Sequence, residues 1–125
     1  MRIEEHRAMA QRIERSLAKC GADDYEMKIE AAMLAGTHWL NAALHRAGTT
    51  RAESDVFHTY LLTINEYRRL SVADGAAVAA LTEIEDLRPP FVRGNRAGGE
   101  DAAVRALALL ALIRARTVDA DSSCN

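Results

Sequence analysis

Aromatic residues make up only 5% of this 125-residue chain, which also has just two prolines and two cysteines. Scarce aromatics beside abundant Ala and Leu exclude a typical β-sandwich, whose strands favour Val, Thr and aromatic side chains, and they favour helix instead. Cys20 and Cys124 form neither a disulfide framework nor a Cys-x-x-Cys metal spacing, which fits a reduced, cytoplasmic protein. No long apolar run is present. The longest, residues 106–113 (ALALLALI), falls far short of the ~20 residues a membrane-crossing helix needs, so no membrane association is expected. The opening MRIEEHRAMAQRIERSL carries charge throughout and lacks the apolar centre of a signal peptide. A net charge of −2 gives no general attraction to nucleic acid, so any basic surface must be local.

What is present is helical periodicity. Residues 28–48, KIEAAMLAGTHWLNAALHRAG, read as a long central helix. Ile29, Met33, Gly36, Leu40, Leu44 and Ala47 repeat at three- and four-residue spacing along one face. A second stripe of Leu34, His38, Ala42 and His45 gives this helix neighbours on more than one side. The small residues Ala31, Ala32, Ala35 and Gly36 allow a close backbone approach. A first helix spans 2–20, with Ile3, Ala10, Ile13, Leu17 and Cys20 inward and Gly21 at its end. Asp23 and Glu26 form a capping-box-like start for the central helix, and Gly48 closes it.

The spacing predicts a third helix over 50–70, opened by Thr50 and Glu53 and packed through Val56, Tyr60, Ile64 and Tyr67. A fourth, capped by Ser71 or Asp74, runs through Ala77, Leu81, Ile84 and Leu87 to Pro89 and Pro90. After the irregular RPPFVRGNRAGG, Glu100 and Asp101 open a fifth, whose later Arg114 and Arg116 also suit the helix dipole. The expected architecture is an all-α, up-and-down bundle of four to five helices over residues 1–118, with a flexible tail at 119–125. Leu40, Leu44, Ile64, Leu81 and Ile84 are its expected core.

Chemistry-bearing residues are few. His38 and His45 lie two turns apart on one helix, and His58 stands on the next segment; they converge on a metal or are hydrogen-bonded packing residues. Arg88, Arg93 and Arg96 line a loop without an acid between Arg88 and Gly99, giving either an anion site or ion-pair partners for Glu83, Glu85 and Asp86. No nucleophile elbow, phosphate loop or dinucleotide fingerprint occurs, and no cofactor is expected. Because residues 106–113 are apolar all round, Leu109 and Leu112 are expected to face outward and form a homodimer interface.

The order AAMLAGTHWLNAALHRAG, SDVFHTY, LTEIEDLRPPFVRG and EDAAVRALALLALI resembles the HEPN-domain family, over about residues 24–118. The similarity is to its small stand-alone and nucleotidyltransferase-associated members. Ribonucleases of that family carry an arginine followed after four to six residues by a histidine. Arg88 matches the arginine by position, but no histidine follows it; Arg51 and His58 have the spacing but open an earlier segment. The resemblance therefore implies a non-catalytic, dimeric adaptor. Its partner would be a nucleotidyltransferase or an antitoxin-like protein, with RNA or a nucleotide as a further ligand. The alternatives are a metal-independent ribonuclease, toxin-like, using Arg88 or Arg51 with His58, and a metal-binding bundle.

Overall fold

In the computed structural model, which describes residues 1–123 and the side chains of 1–117, four α-helices build an all-α bundle. They are α1 (Ile3–Leu17), α2 (Tyr25–Arg46), α3 (Ile64–Arg88) and α4 (Gly99–Ser123). No strand occurs among the described residues. Cys124 and Asn125 lie outside them, and the helix runs to Ser123 through much of the segment expected as tail.

The central position of α2 follows from its composition. It packs against α1, α3 and α4, and Ile29, Ala32, Ala35, Leu40 and Ala42 are all 0% exposed, which requires cover on several sides. Gly36 admits a close approach of α3 and α4: a Cβ there would meet Ile113 Cδ1 at 3.3 Å and Leu81 Cδ1 at 3.6 Å. The helix closes on Gly48 at φ +76°, a left-handed turn that glycine adopts freely. Thr49 N donates to Leu44 O and Gly48 N to His45 O, the paired bonds of a Schellman end. Across α1, the indole of Trp39 donates to Glu14 Oε2 at 2.7 Å, and Glu14 Oε1 in turn accepts from Arg114 of α4.

The expected third helix is the main departure. Residues 49–63 are not α-helical; they form an irregular segment ending in a short 3-10 turn, Thr59–Leu61. Side chains from α2 and α3 take the backbone groups a helix would use. The buried amide of Asn41 grips Val56 twice, accepting from its N–H and donating to its carbonyl, both at 2.7 Å. Glu85 accepts from Thr59 N. Thr50, expected to cap, is instead hydrogen-bonded to His45. The working cap is Thr63, whose hydroxyl accepts from Glu66 N at 3.1 Å.

Consequently Ile64 lies at the start of α3 and is 71% exposed, outside the core in which it was expected, whereas Leu40, Leu44, Leu81 and Ile84 are buried. The two expected helices across residue 74 form one element broken at Asp74 (φ −155°, ψ 81°), whose carboxylate accepts from Ala77 N and from Arg116. A single π-turn, Pro89–Arg93, follows where the prolines forbid continuation.

Leu109 of α4 is buried with Ala106, Leu110 and Ile113, while Leu112 and Val104 are exposed. The expected outward pair is therefore split. Close packing against α2 and α3 draws Leu109 inward.

Leu40→Ala should destabilise the chain by ~2–5 kcal/mol, the range for emptying a packed site. In the isolated subunit, Ile64→Ala should change stability by no more than ~0.5 kcal/mol. Urea unfolding of both variants checks the pair, and equal losses would contradict this placement of the core.

Candidate functional site

Two polar clusters sit on opposite ends of the segment Asn41 holds. The first joins α1, α2 and Asp55. His6 Nε2 lies 2.9 Å from Asp55 Oδ1, and His45 Nε2 lies 2.8 Å from the same oxygen. The other ring nitrogens are also engaged: His6 Nδ1 with His38 Nδ1 at 2.9 Å, and His45 Nδ1 with Thr50 Oγ1 at 2.6 Å. Asp55 Oδ2 accepts from the Met1 ammonium at 3.0 Å.

Burial drives the electrostatics. Desolvation lowers the His6 and His38 pKa values, more than the attraction of Asp55 raises them, so both rings are neutral at neutral pH. Burial pushes the Asp55 carboxyl up, but hydrogen bonds from His6, His45 and the N-terminus outweigh it and hold the pKa at about 2. Imidazoles beside a carboxylate are a competent metal-ligand set. His6, His45 and Asp55 offer ligand atoms that all lie within 4.8 Å of one another.

The second cluster centres on Glu85, only 5% exposed. Its carboxylate accepts from Thr59 N at 3.0 Å, from the Thr59 hydroxyl, and faces His58 Nδ1 at 3.1 Å. Glu85 thereby favours the Nδ1–H tautomer of His58 and leaves Nε2 as the basic nitrogen. Hydroxyls extend the chain, with Thr82 donating to Thr59 and Tyr67 OH 3.0 Å from Thr82. They line a cleft of about 340 Å³ with Tyr60 and Leu62. The His58 ring stacks on Tyr60 at 4.7 Å between centroids. Arg88 bonds to Glu30 at 2.7 Å, and its charge is held by that bond first and by Tyr60 after it.

The expected sites are thus redistributed. His38 and His45 do meet, but through His6, whereas His58 turns away to Glu85. The loop arginines do not pair with Glu83, Glu85 and Asp86: Glu83 holds Arg105, Glu85 holds His58, and Arg88 reaches Glu30. Arg93 and Arg96 are exposed, with Arg96 over the Phe91 ring at 5.9 Å from its centroid. Arg51 lies on the turn beside Thr50 and Asp55, so its spacing to His58 does not carry it into the Glu85 cluster. His6, Asp55 and Glu85 were not among the expected site residues. His6 had one signal, a polar side chain in register with Ile3, Ala10, Ile13 and Leu17 on an apolar face.

His6, buried, and His38, partly buried, set an acid dependence. Their folded pKa values lie below the ordinary 6.5, so the unfolded chain binds more protons once the pH falls through that value. Stability should therefore be full above about pH 6.5 and fall as pH drops toward the folded values, by up to ~1.4 kcal/mol per pH unit for each ring. Asp55 adds a second loss between its ordinary 3.8 and about 2. Melting in chelator-treated buffer from about pH 7.5 to about pH 5 checks the first step; a flat Tm would contradict neutral rings. Comparison of the chain with family models, with curated proteins and with solved structures finds no match in any of the three.

Proposed function

We propose that this chain is a non-catalytic, HEPN-like helical adaptor that acts as a homodimer and docks a nucleotidyltransferase or an antitoxin-like protein. The observation that carries this reading is the shelf formed by Phe57, Tyr60, Leu61 and Ile64, which are 63–71% exposed. Four large apolar side chains within eight residues, presented to solvent, mark an interaction surface. The shelf is also preorganised. Asn41 fixes Val56, Glu85 fixes Thr59 and Thr63 caps α3, so little loop ordering would oppose docking. The exposed Arg93 and Arg96, on the π-turn and the loop after it, supply a local cationic surface suited to RNA or a nucleotide. The interface is assigned to the shelf because Leu109 is occupied in the core.

A second reading, the metal-independent ribonuclease, is favoured by one arrangement: His58 oriented by Glu85 and stacked on Tyr60. His58 Nε2 would take the proton of a ribose 2′-hydroxyl, and Arg88 would face the phosphate charge.

Light scattering of the purified chain should give twice the 13.7 kDa subunit mass. Leu61→Glu with Ile64→Glu should return it to one subunit with an unchanged helical spectrum. A monomeric wild type at micromolar concentration would remove the dimer. Incubation with single-stranded RNA should yield no cleavage; cleavage lost in His58→Ala would establish the second reading in its place.

A further inference from the structure

We propose that His6 Nε2, His45 Nε2 and Asp55 Oδ1 bind one divalent transition-metal ion of the zinc class. This inference is independent of the adaptor reading. Its basis is convergence. A carboxylate has two oxygens, yet both imidazoles address the same one, at 2.9 and 2.8 Å, so three donor atoms from α1, α2 and the 49–63 segment surround a single point. Metal bonds of ~2.0–2.2 Å place tetrahedral ligands ~3.3–3.6 Å apart. An opening of about half an ångström therefore converts the hydrogen-bonded trio into a coordination shell.

The outer partners are those a metal site needs. Coordination through Nε2 requires each proton to sit on Nδ1, and there an acceptor is already in place. His38 Nδ1 receives the proton of His6 at 2.9 Å, and Thr50 Oγ1 receives that of His45 at 2.6 Å. The same heavy atoms also serve the opposite tautomers, with Nε2–H donating to Asp55. Metal entry thus exchanges tautomers without moving a ring to a new rotamer. The side chains of His6 and His45 are each 3% exposed and that of Asp55 15%, so the donors are preorganised and partly shielded from water. Two nitrogens and one carboxylate oxygen suit zinc, cobalt or nickel in preference to magnesium or calcium, which take oxygen donors. Three protein ligands leave a fourth position for water.

The test uses the full, untagged chain stripped with a chelator and titrated with Zn²⁺ alone by calorimetry. One ion per chain is expected. Asp55→Asn and His45→Gln should each remove stoichiometric binding at micromolar metal. His38→Ala, acting through His6, should weaken it roughly 10–100-fold. Cys20→Ser should leave it unchanged. The helical spectrum of each variant is recorded alongside. Nitrogen-15 imidazole shifts of the wild type provide a readout that needs no variant: Zn²⁺ should convert His6 and His45 to the Nδ1–H tautomer. Absence of binding, binding that survives Asp55→Asn, or rings that keep Nε2–H with Zn²⁺ present would overturn the proposal.

Discussion

One buried amide organises the functional half of the molecule. Asn41, 1% exposed in the C-terminal third of α2, has Thr37 O and both backbone groups of Val56 as partners. An unpaired amide in that position would cost a few kcal/mol, so the bonds are in effect obligatory. Because Val56 is clamped, its neighbours have little choice. Asp55 is delivered to the histidines of α1 and α2, and His58 and Thr59 reach Glu85 of α3. Two clusters with unlike chemistry are thus set by a single contact between a helix and an irregular strand of chain.

The clusters divide the acid groups in an instructive way. Asp55 is surrounded by donors and stays ionised far below neutral pH, at about 2. Glu85 is buried more deeply and lies among hydroxyls, a backbone N–H and one imidazole. Both carboxylates are satisfied by groups from other elements, so each also fastens helices together. Breaking either would leave a buried charge without partners, a larger loss than any single contact provides.

How much of this was legible in the sequence follows from range. The α2 periodicity and the Gly48 end are local, and they read correctly from spacing alone, whereas spacing left Ser71 and Asp74 as alternative caps, of which Asp74 accepts from Ala77 N. Thr50 and Glu53 also look like a local helix start, and there the reading fails. The competing bonds come from Asn41 and His45, nine and five residues before Thr50, and from Glu85, on a distant helix. The same limit separated His6 from His38 and His45: a ligand set drawn from three segments has no sequence spacing to betray it. Leu109 and Leu112 could not be told apart either, because a helix apolar on all sides carries no moment pointing inward.

Trp39 is the chain's single tryptophan, 3% exposed, and its indole nitrogen is bonded to Glu14 of α1. Its fluorescence is therefore a built-in optical gauge of how α1 is seated. While α1 lies against α2 the ring is dry and hydrogen-bonded, and any departure of that helix lets water reach it. Since His6 rides on the same helix, that emission reports in one channel on the element that carries the first histidine of the Asp55 cluster.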